Sequence, residues 1–209
     1  MVYFIPKLTI LPITKLWIKK VSGLGNIPKK CPFIVAANHA SYMDHLIITS
    51  TLVMHLDKNI YHLAKKEHFD NFFKKAWHTY SGCIPVDREL GGEDALQLAI
   101  DALNNGKIIV IHPEGTRTLT GRLQKAKTGV ARIALLSKAP VIPIGLIGTF
   151  EILPKGKYIP SFRRAIMNIG KPMHFEEYYK RKVNKRLLRK VTTKIMKEIA
   201  ALCGQEYNF

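Results

Sequence analysis

The apolar positions of this chain fall into short blocks with two different periods. Cys31 to Ala37, Ile108 to Ile111 and Val141 to Ile147 are nearly continuous apolar runs. Runs of that length, bounded by turn formers, read as buried strands. Asn59 to Ala64, a short strand within Ser81–Arg88, and Ala165 to Ile169 are further strand candidates. The intervening blocks follow the helical period. Leu46 to Leu56 and Val130 to Leu136 are mostly apolar, and Phe69 to Tyr80 puts Phe72, Phe73, Ala76 and Trp77 on one side. Glu93 to Leu103 is amphipathic, and Asn104-Asn105-Gly106 stops it. Strands alternating with helices through about residue 150 predict an α/β domain, a mixed and mostly parallel sheet flanked by helices. A last helix, Asn184 to Leu202, lines up Leu188, Val191, Ile195, Ile199 and Leu202, with six Lys and Arg largely off that stripe. It fits either a core-docked helix with a wet basic face or a helix lying on a membrane.

The amino terminus obeys neither period. Residues 1–20 mix aromatics and aliphatics with Lys7, Lys15, Lys19 and Lys20, and Pro6 and Pro12 interrupt them. A spanning helix needs about 20 largely apolar residues, and no small-residue cleavage site follows to suit a signal peptide. Two readings remain: an interfacial segment with its lysines outside the apolar layer, or a helix packed on the domain. The expected organisation is an amphipathic membrane-associating segment over 1–22 and one catalytic domain over 23–209.

Length agrees with a single domain, since 209 residues bury about 70% of their unfolded surface. Charge changes the picture more. Thirty-three Lys and Arg against fifteen Asp and Glu give +18, and no acidic residue precedes Asp44. Such a field draws polyanions: an anionic leaflet, phosphorylated substrates or nucleic acid. Helix-turn-helix, zinc-finger and aromatic ribonucleoprotein patterns are missing from the sequence, which argues against nucleic acid. Cys31, Cys83 and Cys203 are odd in number and widely spread, as expected of reduced thiols in a cytosolic setting. His-Glu-x-x-His and paired Cys/His spacings are absent despite eight histidines, so no metal site is expected.

The chemistry concentrates in two stretches. Asn38-His39-Ala40-Ser41-Tyr42-Met43-Asp44 fills a polar gap between two apolar runs. On one continuous helix His39 and Asp44 would lie about 140° apart. If the chain turns from strand to helix here, the carboxylate folds back onto the imidazole, fixes its tautomer and stabilises the imidazolium. The second stretch follows a strand: His112-Pro113-Glu114-Gly115-Thr116-Arg117, and then Lys125-Ala126-Lys127-Thr128-Gly129. Gly115 permits close backbone approach, Thr116 offers a hydroxyl and Arg117 a planar fork for phosphate or carboxylate. A helix opening near Gly129 would aim free N–H groups at an anion.

With these two stretches in place, the chain resembles the glycerolipid acyltransferase family, whose best-known members are the 1-acyl-sn-glycerol-3-phosphate (lysophosphatidate) acyltransferases. Four blocks match in order between about Gly23 and Pro172: Asn38–Asp44 for Asn-His-x-x-x-x-Asp, Gly82–Arg88 for Gly-x-Ile-x-x-x-Arg, Pro113–Arg117 with Lys127-Thr128-Gly129 behind it, and Val141-Ile142-Pro143-Ile144. The resemblance implies the family's acyltransferase-like fold and an O-acyltransferase moving a fatty acyl group from acyl-CoA or acyl-carrier protein to the free hydroxyl of lysophosphatidate. It implies His39 as general base, Asp44 as its orienting carboxylate, and Glu114, Gly115, Thr116 and Arg117, with Arg88 and Lys127, around the substrate phosphate. Arg88 and Glu114 also admit a bracing salt bridge. No Gly-x-Ser-x-Gly elbow is present, so no acyl-enzyme is expected. No cofactor beyond the thioester co-substrate is implied, and peripheral or monotopic attachment at the cytoplasmic membrane face follows from the short amino-terminal segment. His112 departs from the family, which usually carries Phe or another apolar residue there; it is either a satisfied core histidine or a modifier of acceptor choice. Rival readings are an acyltransferase for glycerol-3-phosphate or another lysolipid, and a non-catalytic membrane-surface protein.

Overall fold

The computed structural model describes residues 9–29, 32–72, 75–76, 82–86 and 93–209. Seven strands form one sheet: β1 (Ile18–Ser22), β2 (Phe33–Ala37), β3 (Ile60–Lys65), β4 (Cys83–Val86), β5 (Ile108–Ile111), β6 (Val141–Ile147) and β7 (Ala165–Ile169). Their spatial order is β1-β7-β6-β2-β5-β3-β4. The block from β6 to β4 is parallel throughout. β7 runs antiparallel to β6, and β1 runs parallel to β7.

β2 shows why this sequence makes a central strand. All five of its residues are buried, and they divide by parity. Ile34 and Ala36 join the core on one face, while Phe33, Val35 and Ala37 join the core on the other. A two-residue side-chain period with apolar residues at every position requires cover on both sides. Helix α2 (Met43–Leu56) provides it on one face with Met43, Ile47, Ile48, Leu52 and Val53. On the other lie α3 (Glu93–Asn104), α4 (Gly129–Ser137) and α6 (Lys185–Cys203). The long α6 opens on Asn184, whose side-chain oxygen accepts from the Leu187 N–H. It is the core-docked alternative that the structure contains: Val191, Ile195, Met196 and Ile199 are fully buried. A Cβ on Gly145 of β6 would come within 2.6 Å of Leu202 backbone, so a residue without a side chain lets α6 close onto the sheet.

One observation bears on the expected organisation. The stretch drawn as a separate segment contains β1, an edge strand registered against β7, and the short helix α1 (Ile10–Thr14) buries Leu11 in the core. Those residues belong to the domain because their apolar positions find the sheet's second face. The expected helix over 69–80 lies largely outside the described residues, as do Cys31 and Arg88. Among the described residues no helix is long and apolar enough to cross a membrane.

Connectivity fixes where a ligand can sit. From β2 the chain passes through α2 to β3, beyond β5; from β5 it passes through α4 to β6, on the far side of β2. The two connections leave neighbouring strands in opposite directions and lie on opposite faces. That is a topological switch point, and the crevice beyond the strands' carboxyl ends is where such sheets bind ligands. β2 ends into His39 and β5 ends into His112.

Candidate active site

The Asn38–Asp44 turn is held from three directions. Asn38 continues the sheet with its side chain: its Nδ2 donates to the Leu146 carbonyl at 2.9 Å, and its Oδ1 accepts the Leu146 N–H at 2.8 Å. The His39 N–H donates to Glu114 Oε1 at 2.8 Å, and the His39 carbonyl accepts the Thr118 N–H at 2.9 Å. Asp44, in the first turn of α2 and fully buried, folds back onto its own turn. Its Oδ2 meets His39 Nδ1 at 2.8 Å and accepts the N–H groups of Ala40 and Ser41, each at 2.8 Å. The strand-to-helix turn thus brings together the pair that a continuous helix would have kept apart. With Nδ1–H engaged by a carboxylate, the imidazole carries its lone pair on Nε2, as a base must.

Two more histidines pack on that ring, and a third, His62, stands behind His45. His112 stacks on His39 with centroids 4.0 Å apart and planes 11° from parallel, and His45 meets both edge-on at 5.3 and 4.9 Å. His45 Nδ1 lies 3.2 Å from His62 Nδ1, and His62 Nε2 lies 2.7 Å from Thr49 Oγ1. His45 therefore turns to His62, leaving Asp44 to His39. Burial, more than the neighbouring rings, pulls the pKa of His45 and His112 well below the ordinary value and that of His62 down to about 4. His112 Nδ1 is 3.0 Å from the Ala37 carbonyl, while its Nε2 is buried without a hydrogen-bond partner; it is a half-satisfied core histidine. Sequence reasoning had not placed His45 and His112 on His39, nor His62 behind His45. Only the β2–β5 register, with Ala36 beside Ile111, sets the residues after each strand side by side.

One ring nitrogen each from His39, His45 and His112 lies within 4.8 Å of the others, a donor set suited to a transition metal. The near-parallel His39 and His112 rings, however, send their in-plane lone pairs side by side. A shared ion would require turning one of them and breaking its bond to Asp44 or to the Ala37 carbonyl. The set fits an aromatic stack better than a metal centre.

The loop after β5 supplies cations. Arg117 lies over the Tyr42 ring, 3.4 Å from its centroid, which moors the guanidinium beside the catalytic turn. Gly115 has φ of +74°, and a Cβ there would meet Lys127 Cε at 3.2 Å and Nζ at 3.5 Å; glycine alone admits both the backbone and the lysine. The Lys127 N–H donates to the Pro113 carbonyl at 2.8 Å. Thr116 and Lys127 are exposed and Arg117 half-buried, so these groups face solvent around the turn. Thr128 leaves the first turn of α4 without a side-chain cap.

Glu114 behaves differently. Its carboxylate is buried, with Oε1 on the His39 N–H and Oε2 accepting from the Gln124 N–H at 2.8 Å and from Gln124 Nε2 at 3.3 Å. Burial raises its pKa, partly offset by those hydrogen bonds. Both its oxygens hold protein N–H groups, so Glu114 braces the His39 turn against the Gln124 backbone. Among the described residues its partners are the His39 and Gln124 amides and the Gln124 side chain. Cys83 and Cys203 stay inert, burial pushing their thiols up to about 11 and about 12.

A histidine held by a buried carboxylate, beside an anion-attracting loop at a switch point, is an arrangement suited to a transferase or a hydrolase. The comparisons narrow that class. Residues 19–147 match the family model described as Acyltransferase, and the chain belongs to that family and is an O-acyltransferase. It is similar to the 1-acyl-sn-glycerol-3-phosphate acyltransferase of Bacillus subtilis, 32% identical over 76% of this chain and 75% of that protein. It is 29% identical to the chloroplastic 1-acyl-sn-glycerol-3-phosphate acyltransferase LPAT1 of Arabidopsis thaliana, over 82% of this chain but 48% of the plant protein. The crystal structure of the 1-acyl-sn-glycerophosphate acyltransferase PlsC of Thermotoga maritima superposes with a TM-score of 0.69 and 26% identity, covering 97% of this chain and 83% of that one.

Proposed function

We propose that this enzyme transfers a fatty acyl group from an acyl thioester, acyl-CoA or acyl-carrier protein, to the free hydroxyl of 1-acyl-sn-glycerol-3-phosphate, giving phosphatidate. The observation that carries the reading is the His39 Nδ1–Asp44 Oδ2 contact of 2.8 Å beside the cations of the Gly115–Lys127 loop. His39 Nε2 takes the hydroxyl proton as the oxygen attacks the thioester carbonyl. The tetrahedral adduct collapses, the C–S bond breaks, and the imidazolium returns its proton to the departing sulfur. Asp44 holds the ring and stabilises the imidazolium between those steps. Arg117, Lys127 and Thr116 bind the glycerol phosphate, with Arg88 as a further candidate, and Glu114 positions the His39 backbone. No residue forms an acyl-enzyme. The likeness to proteins named for lysophosphatidate acylation supports the acceptor, and the +18 charge suits work at an anionic membrane surface, on its cytoplasmic face. Glycerol-3-phosphate or another lysolipid is the alternative acceptor.

The test is a panel of acceptors offered with each donor and read by lipid mass spectrometry. Lysophosphatidate should be preferred, and His39→Ala should lose about 10²–10⁴-fold in turnover while keeping its circular dichroism spectrum. Near-normal turnover in that folded variant, or preference for another acceptor, overturns the corresponding part of the proposal.

A further inference from the structure

Between α5 (Thr149–Ile152) and β7 the chain makes an excursion over residues 154–164 that leaves its largest side chains uncovered. Tyr158, Ile159 and Phe162 are 90%, 84% and 97% exposed, more than any other large hydrophobic side chain among the described residues. The same stretch carries Lys155, Lys157, Arg163 and Arg164 and no acidic residue. Soluble monomers seldom leave apolar side chains grouped in this way without a use for them.

The excursion is anchored by its polar groups. The Ser161 N–H donates to the Ile152 carbonyl at 2.9 Å, and Ser161 Oγ to the Glu151 carbonyl at 2.6 Å. Trp17 Nε1 donates to the Ser161 carbonyl at 2.8 Å, and the Arg164 guanidinium to the Ile18 carbonyl at 2.6 Å. Its base reaches the catalytic turn, where the Leu153 carbonyl accepts from Ser41 Oγ at 2.8 Å and from the Tyr42 N–H at 3.1 Å. Arg164 also shares the rim of a cavity of about 490 Å³ with Lys15, Lys19 and Lys20, so the cations of the excursion and of the amino-terminal stretch form one field.

We propose that residues 154–164 are a membrane-docking loop, which inserts Tyr158, Ile159 and Phe162 into an anionic leaflet while its four cations meet lipid phosphates. An aromatic and aliphatic tip on a purely cationic stem is the composition that partitions into the headgroup boundary. A protein partner would have to supply a pocket for three projecting side chains; a leaflet accepts them as they stand. Through Leu153 the docked loop holds the His39–Asp44 turn at the interface. The inference rests on the proposed lipid acceptor for its purpose, but not for its test.

Full-length enzyme and the triple variant Tyr158→Ala, Ile159→Ala, Phe162→Ala are sedimented with vesicles of phosphatidylcholine containing phosphatidylglycerol. The variant should bind about tenfold more weakly while keeping its melting temperature and its turnover of a water-soluble short-chain lysophosphatidate. In a second experiment, Phe162→Trp should add emission quenched by brominated phospholipid relative to the parent protein. Unchanged sedimentation of the triple variant, an unquenched added indole, or a loss of binding to an acidic carrier protein in place of vesicles would each overturn the proposal. If the parent protein docks through this loop yet acylates no lysolipid, the acceptor reading fails and the loop assignment stands.

Discussion

The turn from Asn38 to Asp44 and the loop from Pro113 to Lys127 follow adjacent strands of one sheet, yet they are built in opposite ways. In the turn, Asn38, Asp44 and the His39 backbone are all engaged, and Asp44 accepts from three groups on its own turn. In the loop Glu114, Thr118 and Gln124 are used in that manner, and Glu114 serves the turn. Thr116, Arg117 and Lys127 present their polar ends toward solvent, Arg117 moored by a ring and Lys127 by its backbone. The difference suits the roles proposed for the two parts. A general base works only from one tautomer and one direction, so its position must be fixed before substrate arrives. Phosphate is a large, symmetric anion that tolerates small shifts of exposed cations, whose charges need solvation until it binds.

Substitutions that separate the two halves sharpen this contrast. The largest effect belongs to the fixed half: Asp44→Asn should lower turnover by up to about 10⁴-fold with little change in acceptor KM, measured by steady-state kinetics. Acid comes next. His45, His62 and His112 are held below their ordinary pKa of 6.5, so below that pH the unfolded chain takes up protons that the folded one refuses. The stability is whole above pH 6.5 and drains as the pH falls toward the His62 value of about 4. His62 alone accounts for roughly 3 kcal/mol of that loss. Urea midpoints across this range should show the decline, and His62→Gln should flatten it. Glu114→Ala strips the partner from the His39 and Gln124 N–H groups and should cost about 2 kcal/mol in urea unfolding, with a drop in turnover because His39 loosens. The smallest effect falls on the open half. Arg117→Ala should raise the KM for phosphorylated acceptors about tenfold and leave phosphate-free acceptors nearly untouched; equal changes for both would remove Arg117 from phosphate binding.

Much of this could be read along the chain. β5 and β6 begin and end where their apolar runs do, because a strand covered on both faces has no other composition available to it; β7 also has its expected bounds, with burial alternating along it. α2 starts at Met43, ahead of the expected Leu46, since Asp44 has to lie in the first helical turn to reach back to the amides of residues 40 and 41. The role of Asn38 was not legible, as its partner Leu146 is 108 positions away. Nor were the amide partners of Glu114, His39 lying 75 positions away and Gln124 10.

By itself the sequence determined the alternation of elements, the His39 and Asp44 pair proposed as base and carboxylate, and the cationic loop, because each is written in neighbouring residues. Tertiary structure decided what depends on residues far apart. It folded β1 into the sheet, stacked His112 on His39 through the β2–β5 register, turned Glu114 inward, and left Tyr158, Ile159 and Phe162 uncovered. Local pattern reports which side chains prefer burial; only closure of the sheet and its helices determines which of them find cover.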